Sequence, residues 1–442
     1  MDKLNQKQTD AIIAIKNGKN IFLTGPAGSG KSYVINQIRK IYGKRASITS
    51  TTGISAIQLS GKTIHSWAGI GLGDKSVNFL IKEIKKTKAM CRWKYSRMLV
   101  IDEISMLAPS VFDKLNEIGQ ILRNNKLPFG GIQLVLCGDF LQLPVIDSAN
   151  FCFESQYWNS TIDTTIYLDK IIRQQDTTFA SILEKARLGK CTQKMKDVFL
   201  SRVGLTPTFE DGILPTRLYS KNIAVDVINQ TELDKLPGEI VAYQAKLQKS
   251  GSVSPYLEAS LLKHDRIIEL KVGAQVMLSE NIDVDSGFGN GSRGVIINFI
   301  DGLPLVKFKT GLEKIIDEFE RKFESDDYCV IKRQVPLRLA WAITIHKSQG
   351  LSLDFVITSL ERDDIFEYSM AYVALSRVKT LDGLFLDGFS RRSLRCHPKA
   401  LLFYQNLLNN SDNSDNSNDN NDTKASVNGN LNKLVQTTYT FD

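Results

Sequence analysis

Apolar residues along this chain switch between two periods, and the switches define its elements. Asn20-Ile21-Phe22-Leu23-Thr24 is a short apolar run that reads as a buried strand. Tyr33 to Ile41 places Val34, Ile35, Ile38 and Ile41 on one helical face, and Ala11, Ile12 and Ile15 mark a helix ahead of the strand. Further strands are predicted at Arg45 to Ser50, Met98 to Ile101, Ile132 to Cys137, Arg217 to Tyr219, Phe355 to Thr358 and Gly383 to Leu386. Helices are predicted at Phe179 to Leu188, at Ala224 to Leu236 (stopped by Pro237-Gly238) and at Tyr368 to Arg377. Strands alternating with helices imply α/β units with parallel sheets.

Two stretches break that rhythm. Gly73 to Arg97 is Lys-rich and irregular, and is expected to be a small insertion outside the core. From Glu239 to Pro336, short β-type runs such as Ala274 to Leu278, Arg293 to Ile297 and Leu305 to Phe308 alternate with Gly and Asn turns. That spacing predicts a small, mostly antiparallel β-module inserted into an α/β unit. The pattern then resumes at Leu337 to Gly350, expected to close a helix with His346-Lys347-Ser348-Gln349-Gly350. From Asn409 to Asn432 the chain is Asn, Asp and Ser with almost nothing apolar, so it is expected to be disordered. Leu434 to Phe441 is mildly apolar and reads as an unstructured end, with a docking peptide as the alternative.

Composition narrows the class. At 442 residues, 42% hydrophobic and 24% charged, the chain can bury a sizeable core. No run approaches the ~20 apolar residues of a membrane span. Met1 to Thr9 is polar and Ile12-Ile13 too short for a signal peptide. None of the six cysteines forms a C-x-x-C pair, which argues against zinc and a disulfide framework and for a reducing, intracellular compartment. The net charge is +8, but residues 406–442 hold five acids and two bases, so the preceding body carries +11. Such a body suits a polyanion partner.

Candidate chemistry starts at Gly25-Pro26-Ala27-Gly28-Ser29-Gly30-Lys31-Ser32, which fits G-x-x-x-x-G-K-[ST] between a predicted strand and a predicted helix. Glycines there let backbone N–H groups crowd a phosphate at a helix N-terminus. Lys31 is placed to reach the β- and γ-phosphates and the Ser32 hydroxyl to bind Mg²⁺. Met98 to Glu103 reads as a buried strand delivering two carboxylates to its C-terminal end: Asp102 for Mg²⁺ and Glu103 to polarise the attacking water. Gln142, after the strand ending near Gly138, can orient that water but cannot take its proton. Arg173 and Arg377 are candidate cations for charge developing on the γ-phosphoryl group. Gln8, one helix before the phosphate loop, can pair with the donor and acceptor of adenine. Small and hydroxyl residues at Thr51 to Ala56 suit backbone approach by an extended ligand, and His346 to Gly350 could contact a nucleotide and a nucleic-acid backbone.

Taken together, these blocks resemble the Pif-type (petite integration frequency) family of superfamily 1, class B, DNA helicases, from about residue 4 to residue 390. Leu4 to Gln8 resembles the Q motif and Gly25 to Ser32 motif I. Thr51 to Ala56 and Thr63-Ile64-His65-Ser66 resemble motif Ia and its extension. Ile101 to Leu107 resembles motif II, and Phe112 to Gln133 the family's signature stretch. Gly138 to Pro144 resembles motif III, Arg173-Gln174 lies in motif IV, and Ile345 to Gly350 and Tyr372 to Arg377 resemble motifs V and VI. Motif III departs from the family in having Val145 after Pro144. The chain opens at the Q motif, so signals housed in the N-terminal extension of some cellular members are expected to be absent.

The resemblance implies an α/β fold of two RecA-like P-loop NTPase domains with an inserted β-barrel-like module and a disordered C-terminal tail. The expected boundaries are 1–168 for the first domain, 169–238 with 337–405 for the second, 239–336 for the module and 406–442 for the tail. It implies ATP and Mg²⁺ as cofactors and a monomer running 5′ to 3′ on single-stranded DNA. Separation of duplexes is implied, extending to G-quadruplexes and RNA–DNA hybrids, in replication, repair, recombination or telomere maintenance. Strand contacts are implied at Thr51, Thr52, Gly53, His65, Ser66, His346, Lys347 and Ser348. The implied compartment is the nucleus of a eukaryote, or otherwise the cytoplasm or a viral replication site. Two alternatives stay open: a RecD- or Dda-type class B helicase, and a strand-stimulated ATPase that clamps or remodels without unwinding. A small-molecule P-loop kinase is a third class, which the second RecA-like unit with Arg377 opposes.

Overall fold

A computed structural model describes residues 4–415, except 60, 146–148, 175, 206–213, 254, 263–264, 281, 284–285, 287, 290 and 325–327. Six parallel strands form the first sheet: β1 (Ile21–Thr24), β2 (Ala46–Ser50), β3 (Lys62–Thr63), β4 (Met98–Asp102), β5 (Gln133–Gly138) and β6 (Thr164–Tyr167). Their spatial order is β3-β2-β4-β5-β1-β6. The inner strands β1 and β4 are buried at every position, as expected where helices cover both faces of a parallel sheet. Strand β6 at the edge was not predicted, because Thr164-Thr165-Ile166-Tyr167 lacks a continuous apolar run and is only half-buried.

One face of this sheet packs on the helices Gln6–Lys16 and Lys31–Tyr42 through Ile12, Ile15, Val34, Ile35 and Ile38. The other face carries a larger core that includes Phe22, Phe112, Phe129, Phe140 and Trp158. The expectation for residues 73–97 is corrected here. They form the helices Val77–Ile84 and Ala89–Tyr95, and Leu80, Ile84 and the fully buried Trp93 belong to that core. Ser76 caps the first helix by accepting from the Phe79 N–H, and the Trp93 indole donates to the Ala68 carbonyl. The lysines occupy the outer faces, so charge masked the apolar spacing.

The second sheet is also parallel, in the order Ala342–Thr344, Thr216–Tyr219, Val356–Leu360, Leu384–Phe389. The expected helix end before His346 is a strand and a single 3₁₀ turn, His346–Ser348. Between the first two chain segments of this unit lies the predicted antiparallel module. Its largest sheet has five strands ending in Leu337–Leu339, three residues past the predicted boundary. A three-stranded sheet, Phe319–Glu324, Tyr328–Gln334 and Lys246–Gly251, and a two-stranded ribbon accompany it.

The end of the chain departs most from expectation. Pro398–Asp415 is one helix, so the predicted tail boundary at 406 falls inside it. Ala400 and Tyr404 are buried in the core of the first sheet, not the second, and Phe403 stacks on Phe153 with centroids 4.3 Å apart. The Tyr404 hydroxyl lies 2.5 Å from the Thr24 hydroxyl and accepts from the Phe140 N–H. Residues 416–442, which hold most of the stretch expected to be disordered and the end from Leu434 to Phe441, lie outside the described residues. No helix among the described residues is long and apolar enough to cross a membrane.

Candidate active site

Strand β1 ends at Thr24, and the phosphate loop turns from it into the helix that begins at Lys31. Gly28 and Gly30 adopt φ of 79° and 92°, and a Cβ at either would meet Arg173 Cβ at 2.6 Å or Gln8 Nε2 at 2.5 Å. Only glycine permits that curvature together with those neighbours. Lys31 Nζ donates to the carbonyls of Gly25 at 2.7 Å and Pro26 at 3.0 Å. Burial lowers its pKa, opposed by Asp139, Glu103 and Asp102.

Strand β4 delivers Asp102, which is buried, and the chain then turns through Glu103 in the left-handed region at φ 54°. Non-glycine residues in that region cost of order 1 kcal/mol and persist only where neighbours impose them. Two neighbours do so. The Thr51 hydroxyl donates to the Glu103 carbonyl at 2.9 Å, and Gln349 Nε2 donates to the Glu103 carboxylate at 2.9 Å. Burial, with the Glu103 charge adding to it, raises the Asp102 carboxyl to about 7.

Strand β5 leads to Asp139, whose carboxylate receives Arg187 Nε at 2.9 Å and Nη2 at 2.7 Å. Burial pushes that carboxyl up, but the paired guanidinium outweighs it and the net shift is downward. Asp139 also accepts from the Leu141 N–H and, at 3.5 Å, from Gln142 Nε2. The turn that presents Gln142 is therefore anchored by a fully buried ion pair from the helix Thr177–Arg187.

The opposite wall is assembled from distant segments. Arg173 Nη1 donates to the Ser376 carbonyl and Gln174 Nε2 to the Val378 carbonyl. Arg377 is buried and donates to the carbonyls of Val373, Ser348 and Leu351. Burial, then Arg173, lowers its pKa to about 9, leaving it charged at neutral pH. The Tyr372 hydroxyl accepts from the Ala27 N–H at 2.9 Å, joining this wall to the phosphate loop.

A cavity of about 580 Å³ separates the walls, and Gln8, Lys31, Ser32, Asp102, Glu103, Gln142, Arg173 and Arg377 all line it. These eight predicted side chains are thus brought to one space, whereas of His346 to Gly350 only Gly350 lines it. The donor set fits a nucleotide triphosphate and a divalent cation. Lys31, Arg173 and Arg377 are cations whose charge burial disfavours, and Asp102 is an anion in the same condition. Each would be relieved by the opposite charge. Gln8 Nε2 and Ser29 Oγ are buried without a hydrogen-bond partner among the described residues. Gln8 Oε1, however, accepts from the Asn5 N–H as half of a capping box, so the amide offers chiefly its nitrogen to a base.

The predicted strand contacts follow the C-terminal ends of parallel strands: Thr51, Thr52 and Gly53 after β2, His65 and Ser66 after β3, and His346 and Lys347 after Ala342–Thr344. Ser66 and Gly53 are exposed, and Lys347 has no ion-pair partner among the described residues. His346 Nε2 lies 3.2 Å from Glu367 Oε2. Ser348 is a correction. It is fully buried, its hydroxyl donates to the Ile345 carbonyl, and its own carbonyl holds Arg377, so its side chain is not presented to a strand. The hydroxyl of Thr51 is likewise committed to Glu103. Gln349, read only as one of a cluster that could contact a nucleotide or a strand, was not foreseen as a partner of Glu103, and Tyr372 and Lys379 were missed as site residues. Gln349 and Tyr372 lie inside the motif blocks already quoted, and Lys379, which lines the cavity, is two residues beyond Arg377.

Comparison with known proteins agrees with this geometry. The PIF1-like helicase family model matches residues 3–197, and the model of the DNA helicase Pif1 2B domain matches residues 260–299. The ATP-dependent DNA helicase PIF1 of Xenopus laevis is 40% identical over 92% of this chain, which spans 64% of that relative's length. The crystal structure of Pif1 helicase from Candida albicans superposes with a TM-score of 0.81 at 37% identity, covering 92% of this chain and 100% of that one. Bacteroides Pif1 bound to ssDNA gives 0.69 at 26% identity, covering 93% and 99%. With two parallel-sheet units facing one phosphate-loop cavity, an inserted antiparallel module and relatives of this similarity along nearly its whole described length, the chain belongs to the PIF1-like helicase family.

Proposed function

We propose that the chain is an ATP-dependent DNA helicase that moves 5′ to 3′ along single-stranded DNA and separates the duplex ahead of it. The observation that carries this reading is the shared cavity, in which Lys31, Ser32, Asp102, Glu103 and Gln142 from one unit face Arg173 and Arg377 from the other. Hydrolysis there depends on the distance between units, which gives each turnover a mechanical consequence. Lys31 and the two arginines stabilise charge on the phosphates, Gln142 orients water, and Glu103 accepts its proton. Ser32 and Asp102 would hold Mg²⁺, which supplies Lewis-acid neutralisation of the phosphate oxygens when bound.

Single-stranded DNA as partner is supported by the +11 body, by the exposed or half-buried polar residues after the strands of both sheets, and by the ssDNA complex of the Bacteroides relative. G-quadruplexes and RNA–DNA hybrids are further proposed substrates, in replication, repair, recombination or telomere maintenance. The test is ATP hydrolysis with and without oligo-dT, beside unwinding of duplexes carrying a 5′ or a 3′ single-stranded tail. Stimulation with unwinding from the 5′ tail alone is expected. Stimulation without unwinding would make the chain a clamp or remodeller.

A further inference from the structure

The side chain that holds the Glu103 carboxylate comes from the other unit. Gln349 is 4% exposed, and its amide nitrogen donates to the Glu103 carboxylate at 2.9 Å across the gap between sheets. It follows the turn His346–Ser348 without an intervening residue. The backbone of the same glutamate is held from the opposite direction, by the Thr51 hydroxyl at the end of β2. Glu103 is therefore gripped at its carbonyl and at its carboxylate by two residues embedded in the two segments proposed to touch the strand.

We infer that Gln349, with Thr51, is a positioning residue that makes the orientation of Glu103 depend on an engaged strand, so that hydrolysis is fast only on DNA. This rests on the functional reading above and adds the route by which strand contact reaches the reacting water.

Several physical features favour a grip that orients over one that merely packs. Glu103 sits at φ 54°, a backbone conformation that neighbours must impose. Its carbonyl carries a double load, since it accepts from Thr51 and also from the Met106 N–H at 3.0 Å, the bond that closes the turn after β4. A shift of Thr51 thus reaches the turn without passing through side-chain packing. On the other side, Gln349 has little freedom of its own. The Gln349 N–H bonds the His346 carbonyl, while the Ser348 N–H bonds the Ile345 carbonyl, so the 346–349 segment moves as a unit. The Gln349 amide oxygen is buried and unpartnered, so the only bond its side chain makes in the described structure is the one to Glu103. A side chain buried at the cost of one unsatisfied acceptor is poorly explained by stability alone. Arg377 adds a second consequence: it binds the Ser348 and Leu351 carbonyls on either side of Gln349, so the grip and the arginine are set by one stretch of backbone.

The test uses the full chain and the substitutions Gln349→Ala and Gln349→Glu, the second retaining shape while replacing the donor by a like charge. With saturating oligo-dT, the ratio of stimulated to unstimulated kcat is expected to fall at least tenfold in both variants. The ATP KM and the oligo-dT Kd are expected to stay within twofold of the unsubstituted protein. Hydrogen exchange without nucleotide gives an independent readout: oligo-dT is expected to protect the Met106 amide in the unsubstituted protein and not in Gln349→Ala. Gln349→Lys, which keeps a donor at similar reach, is expected to recover part of the ratio. An unchanged ratio with unchanged protection would overturn the inference, and so would equal losses of stimulated and unstimulated kcat. A rise in unstimulated kcat would also overturn it, by making Gln349 a brake. If the unsubstituted protein hydrolyses ATP without any response to oligo-dT, the helicase reading itself fails, which its own control shows separately.

Discussion

The two walls of the cavity are built on different scales. The phosphate-loop wall is local: Thr24 to Ser32 form a strand end, a turn and a helix start within nine consecutive residues, and Lys31 bonds carbonyls five and six residues back. The arginine wall is collective. Arg173 reaches the Ser376 carbonyl across 203 residues of sequence, and Arg377 is fixed by the Val373 carbonyl of its own helix and by the Ser348 and Leu351 carbonyls of a stretch 26–29 residues away. A local wall survives small shifts elsewhere, whereas a collective one reports them. On the proposed function, the cleft thus combines a locally built site for binding phosphate with an adjustable one, set by both units, for deciding when the phosphate is cleaved.

Removing the central member of the adjustable wall should have the largest effect. Arg377→Ala is expected to lower hydrolysis by roughly 10³-fold, the low end for loss of such an arginine. Oligo-dT binding should persist, as a fluorescence titration would show. Arg377→Lys should rescue little, because a single ammonium cannot hold separate carbonyls and face the cavity at once. Recovery by lysine would mean that charge alone matters, and would break the contrast between the walls.

The next largest effect should come from Arg187. Arg187→Ala leaves the Asp139 carboxylate buried without its cation and is expected to cost about 3–5 kcal/mol, read as a lowered midpoint of chemical or thermal unfolding. The double substitution Arg187→Leu with Asp139→Leu should lose less than the single one, since no charge is then stranded. Additive losses would show that the pair matters as packing only.

Tyr404→Phe probes the local wall from behind. It strips the partner from the Thr24 hydroxyl and the Phe140 N–H and should cost about 1–2 kcal/mol while the ATP KM stays unchanged. A large KM change would show that the phosphate loop is less self-sufficient than its bonds suggest. The smallest effect concerns Asp354, which pairs with Lys309 of the module and Lys379 of the cavity. Burial raises its carboxyl, but those lysines outweigh it and hold it at about 2. A depressed carboxyl stabilises above its unfolded value of about 4 and loses that contribution as pH falls through about 2. Asp354→Asn should therefore cost under about 1 kcal/mol at neutral pH, given its exposure, and flatten stability across that acid window in urea titrations.

This difference in scale also explains what was legible in the sequence. Lys31 completes a glycine-rich pattern that follows one apolar run, and Asp102, Glu103 and Gln142 come at or shortly after the ends of two others, so local pattern sufficed to place them. Arg173 and Arg377 could be named as cations, but the carbonyls that aim them come from chain segments no local pattern connects. Gln349 was quoted within a motif and not recognised as the partner of Glu103, since that contact spans 246 residues. Residues 73–97 were misjudged because their lysines lie on outward faces and dilute the apolar count, although Leu80, Ile84 and Trp93 keep a helical rhythm. The buried serine, Ser348, looked like a ligand contact because a hydroxyl satisfied by its own backbone is indistinguishable, in sequence, from one offered to solvent.

The return of the helix Pro398–Asp415 to the first core changes the mechanics of the whole chain. The polypeptide begins and ends its described course in the same unit, and the second unit is spliced between two attachment points, near Leu168 and near Pro398. A body attached once can swing and twist, but one attached twice is confined to rotation about the line joining its attachments. In the proposed cycle, closure over the cavity would then resemble a door on two pins, returning the arginines along the same arc each time.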